Sequence, residues 1–577
     1  MGLIVDSGGR PIEPRAAAPS TSVSTSVVPS YAPRGMRAQV DGIPVWSPTS
    51  QLAAGSYYFP YEGANWSQQE FGNWLPWIRS PDAEINLFRD RMVARSRDLS
   101  RNDGWISGAV NRILDNTIGT NLKLSASPDY RALALRTGIT AFDADWADDF
   151  RRTVEALWRG FADNLDHYND VARQLTLGQQ FRLAMRHKLI DGEGFGLVYW
   201  QDEQRGYGAA DYATALLLVD PDRLSNPYQM IDSRYMRGGV EIDDNGAPVA
   251  YHIREAQQND WYLAIEANTW ERIERYDEDG WLRVLHDFDR DRAAQHRGIG
   301  VFTPVLTHAK MLAKYYGVEL QAATVATIFG TYVSSPYDPA LVQDTLGAGD
   351  GEEIALYQAL RSQWANERPA YLNGVRIPTL APGESLESVQ AGHPHSNFEM
   401  FAHEMQRVIA AALGLSAEQI TQDWSKTNYS SARAALLEAW KTLTRRRDEF
   451  CLNFATPFYG AWLWEAFDQG ELPLPDGAPP YVEMRSAYSR CSWMGVARGW
   501  IDPTKEKAGA VMGMDAALST LKRECAEQGL DYEEVLHQRA VEIRLMKELG
   551  LPLPDWAGAV AVAEIQRSQD AAVPQPQ

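Results

Sequence analysis

Residues 396–454 read SNFEMFAHEMQRVIAAALGLSAEQITQDWSKTNYSSARAALLEAWKTLTRRRDEFCLNF. Phe398, Phe401, Met405, Val408, Ile409 and Ala412 recur at spacings of three and four, which predicts a helix ending at Gly414. A second helix is expected to begin near Ser430, with Leu436, Trp440, Leu443, Phe450 and Phe454 on one face, and Pro457 is expected to close it. Between the two stand Ser416 and Gln419, spaced as a capping box, and then Gln422, Asp423, Trp424, Ser425, Lys426, Thr427, Asn428 and Tyr429. That run is too polar for a core. It reads as a loop made to touch something polar, against the plainer alternative of a solvent-facing turn in an ordinary αα-hairpin.

Outward from this joint the chain is large and unevenly built. With 577 residues, 45% of them apolar and 11% aromatic, it can bury a substantial core and divide into several modules. Its 76 acidic residues outweigh 55 Lys and Arg, giving a net charge of -21. A fixed duplex-DNA binder or an anionic-membrane binder would carry the opposite balance. Three cysteines, Cys451, Cys491 and Cys525, have no Cys-x-x-Cys spacing, which excludes a thiolate zinc site and a disulfide framework and fits a reducing compartment. No apolar run reaches the length of about 18 residues that a membrane helix needs.

The N-terminal stretch to about Ser56 is rich in Pro, Ser, Ala and Thr and reads as an extended arm. Ser80 and Pro81 then open a helix carrying Ile85, Phe88, Met92 and Leu99, and Asn102 or Asp103 caps the next, which stops at Gly119. Leu122 and Leu124 alternate like a strand, and Phe142, Trp146, Phe150, Leu157 and Phe161 mark a third amphipathic helix. Strand signals dominate from Phe195 to Phe288, with hairpins expected at Asp244-Asn245-Gly246 and Asp277-Glu278-Asp279-Gly280. Thr303 and Pro304 begin a long helix to about Ile328, a compact mixed insertion follows, and helices return from Asp502 to Gly550.

Chemistry-bearing motifs are sparse in the sequence. Of the two Asp/Gly-rich turns, the first, read from Glu241, has His252 where a calcium loop needs its bidentate glutamate and the second starts at Arg275, and Gly347-Ala348-Gly349-Asp350-Gly351 has neither the lysine nor the spacing of a phosphate-binding loop. Asp191 and Glu193 flank Gly192, so they are either an acid/base pair or part of a turn whose glycines adopt positive φ. His393, His395 and His403 would need the chain to fold back before they could share a metal. Lys441, Arg445, Arg446 and Arg447 form the densest basic cluster and read as a solvated helix face or an intersubunit ion-pair surface, with phosphate contact as the alternative.

Several blocks, taken in order, resemble the lambda-type portal family of tailed phages: Ala94 to Leu99 with Asn116 to Thr120, Val219 to Leu224, Gly246 to Tyr251, Gln295 to Ile299, Leu380 to Glu384, Gly414 to Ser416 with Asn428 to Glu438, and Trp500 to Glu506. The resemblance implies an α+β portal-type fold: an arm over 1–60, a wing over 61–303, a stem helix over 304–330, a clip over 331–394 and a second stem helix over 395–415. A tunnel loop over 416–429, a long wing helix and connection over 430–500, and a helical crown and tail over 501–577 complete it. It further implies a structural protein with no cofactor and no catalytic or metal residues, assembled in the host cytoplasm into a dodecameric ring at the virion's portal vertex. Duplex DNA would pass along Gln422 to Tyr429. Asp350, Glu352 and Glu353 of the clip would meet the terminase large subunit and then the head-completion or tail-adaptor proteins, and major capsid and scaffold proteins would surround the ring, with no membrane involved. Two readings compete: another ring of the connector or baseplate, and a hydrolase using the 19 tryptophans with paired acids.

Overall fold

The computed structural model describes residues 76–206, 210–328, 398–425, 427–497 and 503–552, with short strands outside those spans. The chain forms two compact units, Met1–Ile78 and Arg79–Gln577. In the first, the described structure is an antiparallel hairpin of Ala38–Val40 with Ile43–Val45.

The second unit is an α+β body. Ser80 caps α1 (Pro81–Ile85) by accepting from the Ala83 amide, as expected. The predicted single helix is nevertheless broken before α2 (Arg89–Asn102). Asn86 donates to Asp232 at 2.7 Å and Asp82 accepts from His296, so distant partners interrupt the local periodicity. Asp103 caps α3 (Gly104–Thr117), which buries Ile106, Val110 and Ile113. β1 (Lys123–Ala126), α4 (Tyr130–Thr137), α5 (Ala144–Ala162, capped by Asp143) and α6 (Leu177–Asp191, with a Thr176–Gln179 capping box) follow.

Two antiparallel sheets come next. β2 (Glu193–Trp200), β3 (Thr214–Leu218), β4 (Met236–Arg237), β5 (Val240–Ile242), β6 (Pro248–Arg254), β7 (Trp270–Glu274) and β8 (Val284–Phe288) divide into a three-stranded sheet in the order β8-β2-β3 and a four-stranded one in the order β4-β5-β6-β7. The β5–β6 hairpin turns where expected, with Asp243 accepting from the Asn245 and Ala247 amides. The chain also turns at Asp277–Gly280 as expected, with the Asp277 amide donating to the Trp281 carbonyl and the Arg283 amide to the Arg275 carbonyl, but the pairing stops there and β7 and β8 enter different sheets. Trp281 explains the parting: it is buried in the large helical core, with its indole N–H toward the Ala461 carbonyl, and draws β8 away.

Phe302 and a 3-10 turn at Thr303–Val305 lead into α7 (Leu306–Ile328). The insertion after it is pinched at its base, where Thr331–Ser334 pairs antiparallel with Ser385–Ser388. Asp350, Glu352, Glu353, His393 and His395 lie outside the described residues. The chain returns in α8 (Phe398–Leu413), whose Phe398 stacks on Tyr315 of α7 at 5.3 Å and whose Gln406 donates to the Tyr316 hydroxyl at 3.1 Å. Short α9 (Ala417–Thr421) precedes α10 (Tyr429–Phe450).

Pro457 does not end α10. The rod continues through a π-helical turn, Cys451–Ala455, into α11 (Thr456–Asp468), and Pro457 occupies the first turn of α11. In the wide turn Thr456 N–H reaches back to the Cys451 carbonyl, which removes the bond that proline could not donate and makes room for its ring. The payoff in packing is a row of fully buried aromatics at Phe450, Phe454, Phe458 and Trp462, the first three meeting Phe181 edge to face. Each such side chain contributes about 1.5–3 kcal/mol.

α12 (Tyr481–Tyr488) leads to β9 (Cys491–Met494), which pairs antiparallel with β1. A strand near the end of the chain thereby closes the module that begins it. The helices α13 (Pro503–Asp515), α14 (Leu521–Glu527) and α15 (Tyr532–Glu548) follow, and α15 docks on α5 through Arg151 and Arg152 to Glu533 and through Arg159 to Glu534. Among the described residues no helix is long and apolar enough to cross a membrane.

Candidate functional site

The loop between α9 and α10 is hydrogen-bonded at its base, and most of its described residues are exposed. Gly414, at φ +69, ends α8 where an added Cβ would lie 2.7 Å from Thr442 Cγ2 of α10, so the turn requires glycine for both conformation and clearance. The Ser416–Gln419 capping box forms in both directions, at 3.3 and 3.0 Å. It presents Ala417 and Ile420 to the core, where α9 packs on α3. Gln422 adopts φ 58 and stops α9, its amide donating to the Glu418 carbonyl. Asp423 accepts from the Ser425 amide at 3.0 Å, Thr427 N–H donates to the Trp424 carbonyl, and Asn428 caps α10 by accepting from Ser431 at 2.9 Å. Gln422, Asp423, Ser425 and Asn428 are exposed, while Trp424 and Thr427 are half-buried. Lys426 and the Tyr429 side chain lie outside the described residues.

The basic cluster on α10 is not one surface. Lys441 pairs with Glu438 and Arg445 with Glu449, both on the exposed face. Arg447 is half-buried beside Asp448. Arg446 is only 6% exposed and donates to the Leu413 carbonyl at 2.9 Å, closing the C-terminus of α8. That removes Arg446 from any surface contact, because helical periodicity turns it inward from its neighbours. Arg446→Ala should leave that carbonyl without its donor and cost about 1–3 kcal/mol, whereas Lys441→Ala and Arg445→Ala should each cost about 0–1 kcal/mol. Urea midpoints of the three variants check the ordering.

A second constellation was largely invisible in the sequence. Glu193 is fully buried and bonds Arg89 at 2.7 Å, Arg297, His286 Nε2 at 3.0 Å and the Gly298 amide at 3.1 Å. Beside it Asp191 meets Arg97 at 2.7 Å and His187 at 2.6 Å, and Arg97 also forks onto Asp220 and Asp222 at 2.7 Å each. Lys188 bridges Asp287 and Asp289, and Asn453 of the π-helical turn donates to Asp287 at 3.0 Å. Burial alone would raise the Glu193 pKa, but Arg297 and Arg89 outweigh it and hold the carboxyl well below its ordinary range. Burial lowers His286 below its ordinary value despite Glu193, so the ring is neutral and donates from Nε2.

Asp191 and Glu193 are therefore saturated by arginines and do not form an acid/base pair, while Gly192 supplies the positive-φ turn, at +97. His187, Asp191 and Asp220 each bring one ligand atom within 4.8 Å of the others, as a metal site would. The Arg97 guanidinium already bridges the two carboxylates there, so the position is filled by the protein's own cation. Of the charged partners, Arg97, Asp220, Asp222 and Arg297 lie inside three blocks that are far apart in sequence, while Arg89, His187 and His286 lie outside them. The sequence signals were that presence and the close spacing of Asp191 and Glu193.

The family described as phage portal protein, lambda family, matches residues 67–447, well over half of the chain. The chain is 32% identical to portal protein B of Escherichia phage lambda over 526 residues, covering 88% of this chain and 95% of that protein. It is also 32% identical to the portal protein of Escherichia phage N15, covering 86% and 92%. Among solved structures, a chain of the virion of a native gene transfer agent particle superposes with a TM-score of 0.38 at 13% identity, covering 77% of this chain and 99% of that one, a likeness too loose to compare individual elements. On the family match and the near end-to-end lambda relative, the protein belongs to the lambda family of phage portal proteins, a structural family of the portal vertex rather than an enzyme class.

Proposed function

We propose that this chain assembles into a closed ring, a dodecamer, whose channel passes duplex DNA into the capsid during packaging and out of it during ejection. The observation that carries the reading is the joint at 414–428: a polar, exposed loop anchored to the core by a capped helix, reached by two long helices that flank an insertion. In this reading 61–303 is the wing, α7 and α8 are the stem, 331–394 is the clip, Gln422 to Tyr429 is the tunnel loop, and α13 to α15 belong to the crown. A net charge of -21 suits a conduit, since each phosphate neutralised by the wall would add affinity and hold a sliding duplex. The stem also carries exposed apolar side chains, among them Met311, Val318, Leu320 and Met400, that a neighbouring subunit would cover.

Light scattering with negative-stain imaging of the purified protein tests this. Closed rings with a central hole are expected, and a strictly monomeric mass at micromolar concentration contradicts the reading. The clip is assigned to the terminase large subunit during packaging and to head-completion proteins afterwards, with capsid and scaffold proteins around the wing and assembly in the host cytoplasm. Replacing Asp350-Gly351-Glu352-Glu353 by a neutral linker is expected to leave rings intact and weaken terminase pull-down. Broken rings with unchanged docking would refute that assignment.

A further inference from the structure

The four-stranded sheet ends in an apolar face that nothing in the described fold covers. Two segments leave the same end of the sheet, where β6 stops at Arg254 and β7 starts at Trp270. One is the 3-10 turn Pro227–Gln229, whose Tyr228 ring lies 5.5 Å from Trp270. The other is the loop 255–269, in which the rings of Trp261 and Tyr262 are tilted against each other with centroids 3.9 Å apart and stand 75% and 78% exposed, with Ile265 at 79%. Met230 and Ile231 extend the apolar surface from the first segment.

The loop is held in this shape. Asp260 accepts from the Tyr262 amide, the Ala256 amide donates to the Glu266 carbonyl, and the Glu255 amide donates to the Thr269 carbonyl. Its charge is one-sided: Glu255, Asp260, Glu266 and Glu271 occur across residues 255–271 with no Lys, Arg or His. Three arginines are nearby. Arg254 stacks over Trp270 and donates to the Ala267 carbonyl, Arg223 donates to the Arg254 and Glu255 carbonyls, and exposed Arg272 is paired with Glu241 and Glu274.

From exposed aromatics on a loop whose own charges are all acidic, we infer that this face docks a basic amphipathic helix of a partner protein. Trp and Tyr supply large contact area at small entropic cost, and the acids select lysines and arginines flanking the partner's apolar stripe. The inference is independent of the channel reading, because loss of this contact leaves the ring image unchanged.

The test uses the full chain in its assembled form and a fluorescein-labelled Leu/Lys peptide of amphipathic helical period as probe, read by anisotropy. Two peptides serve as controls: the Leu/Glu peptide of the same pattern and a scrambled Leu/Lys peptide. Saturable binding of the amphipathic basic peptide alone is expected. It should weaken about tenfold or more in Trp261→Ser/Ile265→Ser and fall with added salt in the wild type but less so in Glu255→Gln/Glu271→Gln. No binding to wild type, equal binding of the acidic or scrambled peptide, or unchanged affinity in Trp261→Ser/Ile265→Ser overturns the proposal. So does binding that appears only after removal of residues 1–60, which would make the chain's own N-terminal segment the occupant. A loss of subunits from the ring in Trp261→Ser/Ile265→Ser would equally overturn it, by making a second copy the occupant.

Discussion

Particles built with a chain lacking Asp423 to Thr427 are expected to assemble rings and bind terminase, yet to fail in filling or holding a full-length genome. The structure explains why the defect should be confined. Ile420 and the Ser416–Gln419 box anchor α9 in the core below the deletion, and Asn428 retains its cap on α10 above it, so the deletion removes exposed Asp423 and Ser425 and half-buried Trp424 and Thr427 but no fully buried side chain among the described residues. Lys426→Ala should show a weaker form of the same defect. One transient phosphate contact per subunit is worth no more than about 1 kcal/mol and is screened by salt. Gel sizing of the DNA retained in purified particles measures both. If the deletion particles package and retain DNA like wild type, or if their rings fail to form, the tunnel-loop assignment is wrong.

Glu193→Ala is expected to be the most damaging single change to stability. It strands Arg89 and Arg297, both nearly fully buried, without their shared carboxylate. Breaking a buried pair in this way costs about 3–5 kcal/mol, a large share of the roughly 5–15 kcal/mol that holds a typical domain together. Soluble yield and ring yield should collapse. Glu193→Gln keeps the shape and most hydrogen bonds but removes the charge, so it should fold with a lowered denaturation midpoint, and it makes the electrostatic part measurable.

The pH dependence follows from the signs. Glu193 has a folded pKa below its ordinary 4.5, so its stabilisation is fully present above that value and is lost as pH falls through the folded pKa. His286 has a folded pKa below its ordinary 6.5, so the unfolded chain takes up its proton first and stability also declines as pH falls below about 6.5. Subtracting the Glu193→Gln profile from wild type should therefore leave a difference that is flat at neutral pH and shrinks in acid. A difference that is absent already at neutral pH contradicts the charge assignment.

The helices and their ends were legible in the sequence because each is set by residues a few positions apart. Ser80, Asp103 and Ser416 cap as their spacing predicts, and Gly119 and Gly414 stop their helices at positive φ. The polar run at 422–429, and with it the candidate loop, could be picked out for the same reason. Other features depended on what meets what across hundreds of positions. The pairing of β1 with β9, the parting of β7 from β8 by Trp281, and the passage of the rod through Pro457 by a π-helical turn have no local signature. Nor does the burial of Arg446 among exposed neighbours. The Glu193 cluster shows the reason most directly: an isolated carboxylate in a sequence is equally a solvated surface group or a buried one, and only the arrival of Arg89, Arg297 and His286 from separate elements makes its burial affordable. The sequence by itself determined the local elements and the family, and the tertiary structure alone decided which charges are interior, because desolvation is a property of the assembled surroundings and not of the residue.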